Sequence, residues 1–431
     1  MSDADFDARY ELRWGAPALD TTGKPDAATM AHIEAIALGF LQDAPDRDAL
    51  AADVRDHMEE HEVTLDVFRR EPAPDSMDAA APVGTFGALP KPMSWGDGTS
   101  VDTFAIRAVT VRPTERRRGI LRRMMTDALQ YAAAQEFPLA SLTASEGTIY
   151  RRFGFGPAIR ERKVTVQRSR ALPLLVAPRG EVVVVPPASL RDGLARAVFD
   201  RFHSRTLGSM VRNVGAWGSL LGHRLSDPTP DRSIRAAVHR LDSHVDGYVT
   251  YRVHEQDGSP TTVEIVDLIA VDEQAYLGLW EFLLSIDLTD RVIYPFARIE
   301  DPLPLVLADT RAFDIDHEED HVWLRILDPA ATLESRPFAA DGSVTLHVHD
   351  TLGYADGTYR LTVLGGRGRV DRIEGAGELE LDVSTLGSLL LGAVDPVVLH
   401  DVGLVTGSAA AAETLRSLLR PARTPHGMTY F

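Results

Sequence analysis

The sequence predicts an α/β chain of the α+β type, built from three successive blocks. A β-branched strand at 104–111, a helix at 116–135 and a strand at 139–144 follow the order of a βαβ crossover, which favours neighbouring parallel strands. The order of strand and then helix returns at 263–287. From about residue 323 onward, strands alternate apolar with polar residues and are separated by Gly and Asp turns.

The block boundaries are predicted where these patterns change. A length of 431 residues fits about three domains, which we place at 1–157, 158–322 and 323–431. The second block repeats the strand-then-helix order of the first, but Tyr-Leu-Gly at 276–278 stands where the first block has Arg-Arg-Gly. We therefore interpret the second block as a degenerate copy of the first.

The remaining elements follow from local periodicity. A helix over 26–43, which Asp26 would cap, places Met30, Ile33, Ala37, Phe40 and Leu41 on one inward stripe. Further strands are predicted at 62–70, 83–88, 181–185, 234–240, 246–253, 343–350, 358–365 and 378–384, and further helices near 188–205, 213–222, 384–391 and 408–419. The last residues, RPARTPHGMTYF, have neither pattern.

Composition restricts the class of partner. The chain is 44% apolar and 25% charged, which is typical of a soluble globular protein. Lys and Arg number 45 against 63 Asp and Glu, a formal net charge of −18. Such an acidic chain is a poor candidate for nucleic-acid binding, which depends on neutralising phosphates, and it attracts cations instead.

The absence of Cys excludes disulfides, thiolate metal sites and Cys nucleophiles. It fits a reducing compartment. The acidic N-terminus, MSDADFDARYELRW, lacks the apolar run of a secretory signal, and no stretch approaches the ~18 apolar residues of a membrane helix. We therefore expect a cytoplasmic protein without a membrane span, with export by an unrecognised route left open.

The densest chemical signal is VTVRPTERRRGILRR, at 109–123. Six arginines lie within twelve positions of this acidic chain, namely Arg112, Arg116, Arg117, Arg118, Arg122 and Arg123. Gly119 falls at the opening turn of the predicted helix, where unpaired N–H groups and the positive dipole end favour anions. Glycine there lets a phosphate approach the backbone. From spacing alone, a pyrophosphate site and a solvated basic helix face both remain open.

These residues resemble a known family. R-x-x-G-x at 116–120, after a β-branched strand, resembles the acetyl-coenzyme A loop of the GNAT acetyltransferases, although Leu121 stands where a small residue is usual. RRRGILR is similar to the Eis (enhanced intracellular survival) subfamily. ASEGTIYRRFGFGPA, at 144–158, resembles the Eis segment with the catalytic tyrosine, and the terminal Phe431, DPLPLVLADTR at 301–311 and the third block extend the likeness over nearly the whole chain.

The resemblance implies tandem GNAT-like domains, the first catalytic and the second degenerate, followed by a sterol-carrier-like α+β domain. The tail of the third domain would enter the active site of the first. It also implies acetyl-CoA as co-substrate, a homo-hexamer, and direct acetyl transfer to an amine. The acceptor would be an aminoglycoside-type polyamine or the Lys side chain of a protein.

The same resemblance implies the residues of the site. Backbone groups of Val109, Thr110 and Val111 would contact the pantetheine arm and the thioester oxygen. The loop and helix start would hold the pyrophosphate through Arg117, Arg118, Gly119, Ile120, Leu121 and Arg122. Ser145 and Glu146, which follow the next strand, would line the same edge of the cofactor.

Tyr150 is the candidate general acid. A phenol has a pKa of about 10 and can protonate a thiolate of similar basicity. The alternative is a buried aromatic residue whose hydroxyl is satisfied locally, which is the commoner fate of Tyr in a Gly-rich turn. The surrounding SEGTIYRRFGFGP context favours catalysis.

Phe431 is the candidate general base, through its α-carboxylate. That group has an ordinary pKa of about 3.3–3.7, so it is ionised at neutral pH and can accept a proton from an ammonium. The alternative is a frayed terminus, which the two terminal aromatic residues disfavour. Tyr430 stands where familiar Eis members have an acidic residue, which bears on the range of acceptors.

Other candidates are weaker. HMEEH at 57–61 fits the H-x-x-E-H metal pattern but lacks an evident third ligand, so we expect no metal and a solvated helix face. His347 and His349 share one face of a strand and are expected to be a surface pair. By rough alignment, the amine pocket lies near Phe40, Gln42 and Asp43.

Two alternatives to acetyl transfer stay open. The same site could take a longer acyl donor. The chain could instead bind a lipid or another ligand through its third block and retain only a vestigial transferase site, although the intact loop at 117–122 and Tyr150 argue against such decay.

Overall fold

The computed structural model describes residues 3–46, 50–72, 76–77, 81–144, 146–168, 173–222, 230–255 and 258–431. It confirms the predicted α+β class and contains two sheets, one of twelve strands and one of five.

The first part of the chain alternates short helices with strands. Its elements are α1 (Asp3–Arg9), β1 (Tyr10–Gly15), α2 (Ala27–Gly39), α3 (Ala51–Glu59), β2 (Val63–Arg69), β3 (Gly84–Ser94), β4 (Ser100–Val111), α4 (Ile120–Ala134), β5 (Leu139–Thr143), α5 (Gly147–Tyr150) and β6 (Gly156–Gln167). Strands β4 and β5 pair in parallel with α4 as the crossover, as predicted.

The second part repeats this order. Its elements are β7 (Glu181–Val185), α6 (Ala188–Arg191), α7 (Leu194–Arg205), α8 (Ala216–Leu220), β8 (Arg235–Leu241), β9 (His244–His254), β10 (Thr262–Ala270), α9 (Glu273–Ser285), β11 (Arg291–Ala297), α10 (Leu303–Val306) and β12 (Phe313–Ile326). Strands β10 and β11 are again parallel neighbours.

The third part forms the smaller sheet. Its elements are α11 (Pro329–Ser335), β13 (Gly342–His349), β14 (Gly357–Leu364), β15 (Arg367–Ile373), β16 (Leu379–Asp382), α12 (Val383–Leu389), α13 (Pro396–Asp401), β17 (Val405–Gly407) and α14 (Ala409–Leu419). The strand order is β15-β14-β13-β16-β17. No helix among the described residues is long and apolar enough to span a membrane.

The large sheet joins the first two parts through β6 and β12. Its order is β1-β2-β3-β4-β5-β12-β6-β11-β10-β9-β8-β7. Thus β12, from the end of the second part, inserts between β5 and β6, while β6 pairs with β11. The boundaries at 157/158 and 322/323 fall inside these two strands, and they stay predictions.

Helix α2 shows where periodicity succeeded and failed. Asp26 caps it by accepting the Thr29 N–H at 2.8 Å, as predicted. The helix ends at Gly39, however, so Phe40 and Leu41 turn outward and are 46% and 82% exposed. The prediction that they complete an inward stripe is therefore wrong.

Helix α4 buries the predicted face but begins later than predicted. Met124, Met125, Ala128 and Leu129 are buried. The helix begins at Ile120 and not at residue 116, because Gly119 lies in the left-handed region at φ 79°.

Local sequence patterns did not predict β1, β6, β11, β12, β15 or β17. The first half of β12, FDIDHEED, carries charged residues at successive positions and so lacks the apolar alternation that marks a strand. Backbone pairing with β6 along most of its length holds it in the sheet. Such pairing depends on partners far away in sequence.

The third part packs closely on the junction strands. Nη2 of Arg325, on β12, donates to both carboxylate oxygens of Asp350 at 2.8 and 2.7 Å, and this ion pair is buried. Gly156, at the start of β6, lies so near α12 that a Cβ on it would be 1.9 Å from the Ser384 carbonyl oxygen. One continuous core therefore contains residues of both sheets.

We expect Gly156→Ala to lower the free energy of unfolding by about 1–3 kcal/mol, because backbone must shift to admit the methyl group. Gly342→Ala is the matched control: Gly342 also opens a strand, and its Cβ would meet only side chains, the nearest atoms being Leu418 Cδ2 at 3.4 Å and Thr414 Cγ2 at 3.7 Å. Urea denaturation of both variants checks this. Equal stability of Gly156→Ala and the parent chain would contradict the close approach.

Candidate active site

A cleft of about 760 Å³ lies in the second part of the chain and another of about 720 Å³ lies in the first. The cleft in the first part collects most of the residues predicted for the site. Those that line it are Val109, Thr110, Val111, Arg117, Gly119, Ile120, Leu121, Arg122, Glu146 and Tyr150. Arg118 and Phe431 do not line it, and Ser145 lies outside the described residues.

The cleft exists because β4 continues beyond its parallel partner. Pairing of β4 with β5 runs from Thr103 to Ile106, whereas β4 extends to Val111. The register of β4 against β3 shifts between Thr85 and Gly87, and Ala108 has φ 51°. A non-glycine residue in the left-handed region marks local strain, which here accompanies a bulge. The backbone of 109–111 is thereby not paired with β5.

The loop between β4 and α4 is built around Glu115, which the sequence analysis missed. This buried carboxylate accepts a hydrogen bond from the Tyr10 hydroxyl at 2.6 Å and lies 3.5 Å from Arg69 and 3.6 Å from Arg118. Burial and the bond to Glu115 raise the pKa of Tyr10. Arg118 therefore points to Glu115. The signal in the sequence that could have identified Glu115 is that it is the one acidic residue between Arg112 and Arg123.

The entrance of α4 is suited to an anion. Arg117 and Gly119 both have positive φ, at 61° and 79°, and no side chain caps the helix. Its first N–H groups and its positive dipole end therefore face the cleft mouth, with Arg116 and Arg122 among the lining residues. This donor set fits a pyrophosphate.

The corresponding entrance in the second part is closed. Helix α9 begins after Asp272, whose carboxylate accepts hydrogen bonds from the N–H groups of Gln274 and Ala275 at 2.9 and 3.0 Å. The donors that would bind a phosphate are used, and a negative charge already occupies the dipole end. This agrees with a degenerate second copy.

Tyr150 ends α5 and is 7% exposed at the inner wall of the cleft. Its ring lies edge-on to Phe155, with centroids 6.3 Å apart, and its carbonyl accepts the Phe155 N–H at 3.4 Å. The turn after α5 contains Gly154 at φ 83°, a conformation that glycine adopts readily. The Gly-rich segment thus fixes the ring against the core.

The chain terminus folds back onto the body of the protein. His426 N–H donates to the Leu207 carbonyl at 2.9 Å, Thr429 Oγ1 donates to the Met210 carbonyl at 3.0 Å, and Asn213 Nδ2 donates to the Tyr430 carbonyl at 3.2 Å. The half-buried Phe431 packs against the core shared by both sheets, which includes Met93 of β3. Tyr150 belongs to a different core cluster, with Phe86.

Residues 57–61 do not form the helical metal pattern. Helix α3 ends at Glu59, and His61 follows it with φ 55°. His57 Nδ1 instead contacts Glu62, which Arg107 also approaches, at 3.3 Å. Across the described ranges, no group of three His, Cys, Asp or Glu residues is arranged to hold a metal ion.

The other weak candidates are also located. The rings of His347 and His349 lie 4.6 Å apart on the outer face of β13, and His347 contacts Thr358. Phe40 lines the cleft in the first part, whereas Gln42 and Asp43 are exposed and do not line it.

Comparisons with known proteins agree with this geometry. Models of the acetyltransferase (GNAT) domain match residues 46–158 and 208–326, and a model of the sterol carrier protein domain matches 329–427. N-acetyltransferase Eis of Mycobacterium tuberculosis is 36% identical over 299 residues, covering 68% of this chain and 71% of the relative. An uncharacterized N-acetyltransferase of Streptomyces griseus is 32% identical over 407 residues, 91% of this chain and 95% of the relative.

The chain belongs to the Eis family of GNAT N-acetyltransferases. Among solved structures, Eis1 of Mycobacterium abscessus aligns with a TM-score of 0.80 at 27% identity, covering 98% of this chain and all of that one. A GCN5-related N-acetyltransferase of Anabaena variabilis, at 19% identity and a TM-score of 0.78, shares the fold. This Eis-family chain is thus an acetyltransferase, and its family implies acetyl-CoA as the co-substrate.

We expect Gly119→Ala to weaken coenzyme A binding about tenfold in calorimetry. The added methyl group would stand at the cleft mouth, where a phosphate approaches the backbone, and a tenfold loss of affinity equals about 1.4 kcal/mol. The left-handed Ala also costs about 1–2 kcal/mol of stability, in the free and the bound protein alike.

Gly193→Ala is the matched control. Gly193 also precedes a helix with positive φ, at 91°, and a Cβ there would meet nothing within 4 Å. We expect it to lose similar stability and to bind coenzyme A normally. Unchanged affinity in Gly119→Ala would place the phosphates elsewhere.

Proposed function

We propose that this Eis-family enzyme transfers an acetyl group from acetyl-CoA directly to an amine, with Tyr150 as general acid and the Phe431 carboxylate as general base. The observation that carries the proposal is the shared cleft. Tyr150 lines the same cavity as the strand end at 109–111 and the uncapped entrance of α4.

On the side of acetyl-CoA, the thioester carbonyl must be polarised and the departing thiolate must receive a proton. Backbone groups of 109–111, which are not paired with β5, would bind the pantetheine arm and polarise the thioester carbonyl. The amine nitrogen attacks the carbonyl carbon, the carbon–sulfur bond breaks, and the Tyr150 hydroxyl gives its proton to the departing thiolate. Arg117, Gly119 and Arg122 would hold the pyrophosphate.

The acceptor side needs a base. The ordinary pKa of an α-carboxylate keeps Phe431 ionised at neutral pH, so it can take a proton from the incoming ammonium. Tyr150 and Phe431 pack against different core clusters. As the acetylated nitrogen loses its second proton, the Tyr150 phenolate regains one, and the Phe431 carboxyl group releases its proton to solvent, so that both groups are restored.

A cationic acceptor fits the charges around the terminus. Glu161 accepts a hydrogen bond from Tyr430, and the charge of Glu319 also raises the pKa of Tyr430. Glu60 accepts the N–H of Val214, the neighbour of Asn213, which itself donates to the Tyr430 carbonyl. The net charge of −18 adds a long-range attraction. We therefore propose an aminoglycoside-type polyamine or a Lys side chain as acceptor, in a cytoplasmic homo-hexamer as the family resemblance implies.

We expect Tyr150→Phe to lower kcat about a hundredfold or more, because general acid catalysis contributes about 10²–10⁴ in rate. Affinity for acetyl-CoA should be retained. The assay measures free thiol release from acetyl-CoA with a panel of amines, and repeats it with longer acyl donors. Tyr251→Phe, a buried tyrosine of β9, is the control. Full turnover in Tyr150→Phe would remove Tyr150 from the mechanism.

We expect deletion of Phe431, or a C-terminal tag, to impair transfer without unfolding the protein, because the carboxylate is displaced or moved. The kcat should fall at least tenfold, while coenzyme A binding and the melting temperature stay near those of the parent. An N-terminal tag is the control. A fully active C-terminally tagged enzyme would contradict the carboxylate base.

A further inference from the structure

The 760 Å³ cleft of the second part occupies the place that the cofactor cleft has in the first. It lies between the end of β10, the entrance of α9 and α10, just as the first cleft lies between β4, α4 and α5. The parallel pairing of β10 with β11 covers only 262–264, so these strands also diverge. Because Asp272 caps α9, this second cleft does not suit a phosphate.

The chain's own C-terminal segment forms part of the wall of this second cleft. We call residues 423–431 the tail; Arg423, Thr424, His426 and Met428 are among the lining residues. Arg423 forms an ion pair with Glu273, the first residue of α9, which also binds Arg298 at 2.7 Å.

Further along the tail, the contacts become buried. Met428 packs into two core clusters of the second part and lies 3.9 Å from the Tyr294 hydroxyl. His426 is 4% exposed, and burial lowers its pKa to about 3, so it packs as a neutral ring against Phe202. The tail is thus held against the second cleft by an ion pair at Arg423 and by apolar contacts of His426 and Met428.

The last contacts place Phe431. The Tyr430 hydroxyl donates to the carboxylate of Glu161, on β6, and its ring lies edge-on to buried His321, on β12, with centroids 4.5 Å apart. Nδ1 of His321 lies 3.1 Å from the other oxygen of Glu161. Burial and the bond to Glu161 raise the pKa of Tyr430, so its hydroxyl stays a donor.

We propose that the vacated cofactor slot of the second domain is the receptor for the tail, and that Tyr430, through Glu161, is a positioning residue for the Phe431 carboxylate. This inference rests on the proposed role of that carboxylate. With this role, the second domain would position the base for the reaction at the site of the first domain.

Tyr430→Phe tests the proposal by removing only the hydroxyl. We expect kcat to fall about tenfold, because hydrogen bonds to charged groups contribute about 1.5–3 kcal/mol, with KM for acetyl-CoA unchanged. Carboxypeptidase should release Phe431 faster, as followed by intact mass. Tyr359→Phe, a buried tyrosine of β14 away from the tail, is the matched control.

A double-mutant cycle with the Phe431 deletion separates positioning from general stability. The deletion should reduce kcat by a smaller factor in the Tyr430→Phe background than in the parent. Met428→Ala is a second variant that loosens the slot contact, and we expect it to act in the same direction.

Unchanged kcat and unchanged carboxypeptidase release in both variants would overturn the inference. Additive effects in the cycle would also overturn it. Faster release with full kcat, together with a harmless Phe431 deletion, would support the slot as tail receptor and refute the carboxylate base of the proposed function.

Discussion

The pairing of β6 with β12 is the contact on which the rest of the molecule depends. β6 directly follows the segment that carries Tyr150, and β12 inserts between β5 and β6 from the far end of the second domain. Alternation along β12 sends Trp323 to the core of Tyr150, and Val322 and Leu324 to the core shared with the third domain. This strand pair therefore contributes to the core behind the cleft and to the core against which Phe431 packs. It also joins the two GNAT domains in one sheet.

Two equivalent helix entrances differ in electrostatics because of one residue each. Gly119 leaves the first turn of α4 without a side-chain cap, whereas Asp272 supplies α9 with a carboxylate that uses its donors. An anion is stabilised at the first entrance and repelled at the second. A peptide segment of the tail lines the second cleft, and its Arg423 forms an ion pair with the acidic entrance residue Glu273. The same architecture thus leaves free donors at one helix entrance and a carboxylate cap at the other.

The sequence predicted the α+β class and the first parallel crossover because those depend on local periodicity, and the family resemblance of one dense motif predicted the residues around the first cleft. It did not predict β12, whose charged first half is held by backbone pairing with β6, nor the late start of α4, which positive φ at Arg117 and Gly119 imposes. Glu115 was missed because its partners Tyr10 and Arg69 are distant in sequence. The path of the tail was likewise beyond local patterns, since its contacts lie 100 residues or more away.

A main-chain carboxylate can act as a base only if the tail behind it is ordered. Fixing the backbone costs about 1–2 kcal/mol per residue, so holding 423–431 in one conformation costs on the order of 10 kcal/mol. No single contact of the tail offsets that cost. The Arg423 ion pair, the buried side chain of His426, the packing of Met428 and the Tyr430 bond to Glu161 must act together. Loss of one contact should therefore lower the fraction of ordered termini, and with it kcat, without unfolding the domains that hold the donor.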